Sequence, residues 1–310
     1  MPTAWEIVGH TAVRDTLCNG LGAREGGHHA WLLYGPSGIG KALLAREAAS
    51  AFLCRGAAPP CGACHSCRLV HAGTHPDLRL LQRPEGKRDL PVEAVREALA
   101  FLSLTGHESS RRVLIIDDAE TMNRSAANAL LKGLEEPQEG AAILLVCGEP
   151  NRLPATIRSR CLLQPCHALG EEECRQVLQR MGIAEAALPL ALRLARGRPG
   201  RVALLRDEGW CRSLQQWERL LEDLPRCDLA EARRLSGGKW NAAALQLVVE
   251  LAVEAACRRI SRLDFARGEA LLDGCRRLAE LPRRAERQTL RADLALFGAV
   301  VELRRLSAGR

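Results

Sequence analysis

At 310 residues, with 47% hydrophobic and 26% charged side chains, the chain has the length of two or three domains and the make-up of a globular protein, and no apolar run approaches the ~18 residues of a membrane span. Its net charge of +7 comes from basic residues, nearly all arginine, scattered among acidic ones in almost every segment, which argues against a nucleic-acid-binding stripe. Aromatic residues at 3% are too few for a base-stacking platform, and the opening MPTAWEIVGH has neither the basic nor the apolar region of a secretion signal, so the expected compartment is the cytoplasm.

In chain order, AWLLY (30–34) is a short apolar run, GPSGIGK (35–41) a glycine loop and ALLAREAASAFL (42–53) a segment of helical period, which together predict strand, loop, helix. A Pro/Gly-rich connection, RGAAPPCGAC (55–64), comes next. PDLRLL (76–81) reads as a strand and PVEAVREALAFLSL (91–104) as a helix with Pro91 in its first turn. RVLIIDDAE (112–120) is a buried strand ending in carboxylates, RSAANALLKGLEEP (124–137) an amphipathic helix stopped at Pro137, and AAILLVC (141–147) a continuous apolar run of the central-strand type. Strands alternating with helices predict an α/β fold, a parallel sheet with helices on both faces.

After Pro165 the strands give out. GEEECRQVLQRMG (170–182) and EAALPLALRLARG (185–197) predict a small helical unit closed by the turn residues Gly197, Pro199 and Gly200. From Trp210 the pattern is helical, clearest in AAALQLVVELAVEAACRRI (242–260) and RQTLRADLALFGAVVELRRL (287–306), with SGGK (236–239) as a loop. The expected division is an α/β domain over 1–166, a small helical domain over 167–208 and an all-helical domain over 209–310.

Thirteen cysteines are an odd number, and a reducing compartment disfavours disulfides. Cys18, Cys147, Cys166, Cys174, Cys211, Cys227, Cys257 and Cys275 stand singly in apolar or helical contexts, where a thiol acts as a small hydrophobe. Cys54, Cys61, Cys64 and Cys67 instead follow C-x6-C-x2-C-x2-C. Close x2 spacing lets thiolates converge on one tetrahedral ion, and four sulfurs close a zinc site without an open position, so the expected role is structural. A loop has no packing use for four thiols, which sets zinc above four merely reduced cysteines. His65, His71 and His75 nearby read as surface or capping residues.

The glycine loop satisfies G-x-x-x-x-G-K with Gly35, Gly40 and Lys41, and Gly38 lies within it, but Ala42 stands where a hydroxyl would hold magnesium. Read from its residues, it is either a phosphate cradle with Lys41 reaching the outer phosphates or a turn kept for its geometry. Asp117 could face a magnesium ion, and Asp118 stands where related ATPases place a water-activating Glu. Moving such a carboxylate by about an ångström can cost on the order of 100-fold in rate.

GPSGIGKA, CRGAAPPCGACHSC, AGTHPD (72–77), VEAVRE (92–97), NALLKGLEEP (128–137) and ATIRSRC (155–161), in this order, resemble the clamp-loader subunits of bacterial DNA polymerase III, those of delta-prime type above all. The likeness is strong over the first two expected domains and architectural over the third. It implies an AAA+ P-loop-type sheet domain with an inserted zinc module (54–67), a helical lid, and a helical collar that assembles a ring. The partners it implies are gamma/tau-type motor subunits and a delta subunit in a hetero-pentamer, with the sliding clamp and primed DNA reached mainly through that complex. It also implies that Arg160, in SRC (159–161), is an arginine finger for a neighbour's ATP site; without the resemblance an arginine there reads as a surface ion-pair partner.

Motor subunits of the family resemble one another in three polar groups that this chain lacks. Ala42 follows the loop lysine, Cys147-Gly148 follows the ILLV strand, and Gly200 of GRPG stands where the lid arginine is expected, with Arg201 one position away as a possible substitute. The expectation is therefore a non-motor subunit of the polymerase III holoenzyme, a nucleotidyltransferase complex, with ATP and magnesium on its partners rather than on Gly35, Gly38, Gly40, Lys41 and Asp117. The alternative is an ATP-hydrolysing motor subunit of the same loader.

Overall fold

A computed structural model of the chain describes residues 7–21, 27–84, 87, 89–103, 110–238, 240–287 and 291–308. Leu104 of the expected helix 91–104, Lys239 of the expected loop 236–239 and residues 288–290 of the expected helix 287–306 lie outside them. The chain divides into two compact units, 1–173 and 174–310.

The first unit is built on a parallel sheet of β1 (Ala30–Tyr34), β2 (Leu78–Leu81), β3 (Arg112–Ile116), β4 (Ala141–Cys147) and β5 (Leu162–Pro165). Their spatial order is β2-β3-β4-β1-β5, so the glycine loop leaves a central strand flanked by β4 and β5. This parallel core is typical of an AAA+ P-loop fold. Alternate residues of β1, β3 and β4 face opposite sides. Leu32, Leu114, Ile116, Ile143 and Leu145 join one buried cluster, and Leu33, Val113, Ile115, Leu144 and Val146 join another. Both faces are covered, which is why these strands read as unbroken apolar runs.

Helices α1 (Thr11–Gly20) and α2 (Lys41–Leu53) supply Leu17, Leu44, Ala48 and Phe52 to the second cluster. The short α3 (His65–Ala72) packs beside α2 and adds Val70. On the other face, α4 (Val92–Ser103) and α5 (Arg124–Glu135) contribute Val95, Leu102, Leu130 and Leu134. Each fully buried Leu or Ile of this kind stabilises the fold by about 1.5–3 kcal/mol relative to exposure. The N-terminus of α5 is capped by Asn123, whose Oδ1 accepts from the Ala126 N–H at 2.8 Å. A single turn, α6 (Ala155–Arg158), precedes β5.

β5 was not singled out in the sequence, and its composition explains this: four residues ending in Pro165, with Leu162 and Leu163 exposed on an edge strand, carry no burial pattern to read.

Helix α7 (Glu171–Arg180) runs across the division between the units. The second unit is all-helical: α8 (Leu188–Ala195), a kinked 3-10 segment (Pro199–Arg206), α9 (Glu208–Glu222), α10 (Leu229–Ser236), α11 (Ala242–Ile260), α12 (Phe265–Ala279), α13 (Leu281–Arg287) and α14 (Ala292–Ser307). α11 is its axis, with Leu245, Val248, Ala252 and Ala256 buried. Arg193 of α8 pairs with Glu218 of α9 and Glu254 of α11, and Arg196 pairs with Glu254 at 2.6 Å. Among the described residues no helix is long and apolar enough to cross a membrane.

Candidate functional site

The glycine loop turns because its glycines allow it. Gly35, Gly38 and Gly40 have φ of 145°, 84° and 100°, backbone that a side chain rarely adopts, and a Cβ at Gly35 would run into the Cys166 carbonyl oxygen. Gly40 caps α2, placing Lys41 at the first position of that helix. The Lys41 ammonium turns back into the loop, donating to the Gly35 and Pro36 carbonyl oxygens at 2.8 Å each. His10 Nε2 lies 3.2 Å from the Ile39 carbonyl oxygen, a second tie on the same loop. Burial lowers the Lys41 pKa, with Cys166, Cys147, Glu120 and Asp117 acting in the opposite direction.

The carboxylates after β3 are organised among themselves. Asp117 accepts from the Asp118 N–H at 3.0 Å and from Gln82 Nε2 at 3.2 Å. Asp118 sits at φ 49°, and burial together with the charges of Asp117 and Glu120 raises its pKa. Glu120, which sequence reasoning did not single out, accepts from the Gly148 N–H at 2.7 Å and so ties the carboxylate turn to the end of β4. At the polar-sensor position, burial pushes the Cys147 thiol up to about 12, leaving a neutral, weak donor beside the loop lysine.

Arg201, the possible substitute for a lid arginine, is engaged within the second unit. It pairs with Glu250 of α11 and donates to the Leu194 carbonyl oxygen at 3.3 Å.

Arg160 lies on the turn between α6 and β5, with its side chain 36% exposed. Its Nη1 donates to the Thr156 carbonyl oxygen at 2.9 Å and reaches Ser159 Oγ at 3.4 Å, while Nη2 pairs with Glu135 Oε1 at 2.7 Å. Glu135 ends α5, inside the NALLKGLEEP stretch.

The four clustered cysteines meet. Cys54 follows the last turn of α2, Cys61 lies in the connection, and Cys64 and Cys67 open α3, yet their sulfurs all fall within 4.8 Å of one another. Cys54 and Cys64 Sγ are 3.9 Å apart, and Cys61 and Cys67 Sγ 4.0 Å. A zinc tetrahedron with Zn–S bonds of about 2.3 Å has edges of about 3.8 Å, so the cluster is suited to a structural zinc ion as it stands. Backbone N–H groups of Gly56, Cys64 and Cys67 point at Sγ of Cys54, Cys61 and Cys64 at 3.3–3.4 Å, an arrangement that favours thiolates. Burial works against ionising Cys64, but backbone N–H groups of Arg55 and Cys67 with the neighbouring thiols bring it down to about 6. Cys67, the most buried of the set, is pushed up to about 12 by that burial.

Of the surface or capping roles its sequence context suggested, His75 takes the second, from a buried position. It is 4% exposed, with Nε2 2.7 Å from Ser66 Oγ, and Ser66 Oγ donates to the Leu53 carbonyl oxygen at 2.9 Å. The Asp77 N–H donates to His75 Nδ1 at 3.0 Å, so Nε2 carries the proton toward Ser66. This chain joins the end of α2, the cysteine helix α3 and the entry to β2. The lone cysteines are mostly buried as expected, but Cys257 is exposed.

The family model of DNA polymerase III, delta subunit, matches residues 16–167. The chain is 40% identical over 200 residues to the delta-prime subunit of Pseudomonas aeruginosa, covering 63% of this chain and 61% of that one. It is 38% identical over 188 residues to the delta-prime subunit of Escherichia coli K12, covering 59% and 56%, and 35% identical over 178 residues to the tau subunit of the same organism, covering 57% and 27%. The matches to these curated relatives thus span about three-fifths or less of their length.

Proposed function

We propose that this chain, which is homologous to the delta-prime subunits of bacterial DNA polymerase III, is a non-motor subunit of a clamp loader. In this role it helps assemble the loader ring and supplies Arg160 to the ATP site of a neighbouring motor subunit, so that a sliding clamp is loaded on primed DNA. The division into a sheet domain (1–166), a lid (167–208) and a collar (209–310) belongs to the same reading. So do ring partners of gamma/tau and delta type, membership of a polymerase holoenzyme and a cytoplasmic location.

The observation that carries the reading is the loop lysine. Its ammonium spends two of its three N–H donors on the Gly35 and Pro36 carbonyl oxygens, and Ala42 puts no hydroxyl directly after the lysine to hold the magnesium of a nucleotide. Neutral Cys147 and the engaged Arg201 support the same conclusion. Arg160 stands half-exposed on a turn of the sheet unit. A guanidinium delivered to a γ-phosphate can accelerate hydrolysis by roughly 10³ to 10⁵, and a cation supplied across an interface makes turnover conditional on assembly.

The test is the ATPase of a loader reconstituted with its cognate subunits, clamp and primed DNA. Arg160→Ala is expected to leave assembly intact and to depress clamp-stimulated turnover by at least tenfold. ATP hydrolysis by the purified chain alone at the rate of a motor subunit would instead favour the motor reading.

A further inference from the structure

We infer that Glu135 is a positioning residue for Arg160. The inference rests on the reading of Arg160 as a finger and extends it to the end of α5, whose LEEP stretch no other part of the proposed function uses. Glu135 Oε1 holds Arg160 Nη2 at 2.7 Å while the Thr156 carbonyl oxygen and Ser159 Oγ hold Nη1 from the other side. Both hydrogen bonds leave from Nη1, while the Glu135 contact at Nη2 is an ion pair. Among the described residues no hydrogen bond takes the Nε–H or an Nη2–H, and this pair of donors is the fork with which an arginine grips two phosphate oxygens.

Stabilisation of the fold is not what the ion pair supplies. Arg160 is 36% exposed and Glu135 48%, and pairs so open to water contribute little. What the pair does is order a long side chain in advance. A free arginine on a turn samples many rotamers, and fixing it when the neighbouring subunit arrives would be charged against the transition state. Anchoring Nη2 on the last residue of α5, a helix packed on the sheet through Leu130 and Leu134, means the guanidinium is held before assembly. The carboxylate holds the cation as an ion pair and leaves the Nε–H and Nη2–H side of the guanidinium without a hydrogen bond among the described residues, so it orients the cation without consuming it.

The experiment uses the reconstituted loader with Glu135→Ala, Glu135→Gln, Arg160→Ala and the double variant Glu135→Ala/Arg160→Ala, with ring assembly and the steady-state constants for ATP measured for each. Glu135→Ala is expected to lower kcat about 2- to 10-fold with KM for ATP unchanged, the size expected for ordering one long side chain. Glu135→Gln keeps an acceptor oxygen at the same reach and is expected to restore most of the loss. In the Arg160→Ala background, Glu135→Ala should have no further effect, whereas a merely structural glutamate would act in both backgrounds. Unchanged or raised kcat in Glu135→Ala, or additive losses, overturns the role of Glu135 while leaving Arg160 as the finger. Full activity in Arg160→Ala overturns both.

Discussion

Lys41 Nζ lies 2.8 Å from the carbonyl oxygen of Gly35, the residue that opens its own glycine loop. Two of the three N–H donors of the cation that would meet a phosphate are thus taken by the loop's own backbone. Restoring the missing hydroxyl does not by itself undo this. Ala42→Ser is expected to leave the isolated chain without measurable ATP turnover, checked by phosphate release in the presence of magnesium, because Lys41 stays engaged and Cys147 remains neutral.

The cysteine cluster is expected to carry one zinc per chain. Cys61→Ser or Cys64→Ser should reduce the metal content of protein purified without chelator to less than half an equivalent, read by elemental analysis, since three sulfurs leave a site open to water and chelators. Full metal content in either variant would refute four-thiolate ligation.

Replacing His75 with Ala removes the link between Ser66 and the entry to β2, taking away the donor to Ser66 Oγ and the acceptor of the Asp77 N–H. The expected cost is about 1–3 kcal/mol, visible as a lower thermal midpoint, with the zinc content of the folded protein unchanged because His75 is not a ligand.

Asp118 supplies a pH-dependent prediction. Burial and the neighbouring charges of Asp117 and Glu120 raise its folded pKa above the unfolded value, so the folded state binds the extra proton and stability falls as pH rises from the ordinary aspartate range through the raised pKa. Asp118→Asn removes the charge, and asparagine tolerates the φ of 49° at this position. The variant should be more stable than the parent at neutral pH, and the difference should vanish as pH falls below the ordinary aspartate range, measured by denaturant unfolding across pH.

Much of the sheet unit was legible in the sequence because buried parallel strands and a glycine loop leave strong local marks. AWLLY, RVLII and AAILLVC had to be apolar throughout, since helices cover both faces of β1, β3 and β4. The four cysteines announced their convergence by spacing alone, because x2 intervals and a Pro/Gly-rich connection bring thiols together locally. What the sequence could not give are contacts between residues far apart in the chain. Glu135 and Arg160 meet at 2.7 Å because α5 and the turn after α6 pack beside the same sheet. Arg201 is lost to Glu250 across 49 residues, and His75 is drawn under the cysteine helix by Ser66. Spacing fixes chemistry within a turn or a loop; which charge a distant arginine finds is decided only when the elements pack.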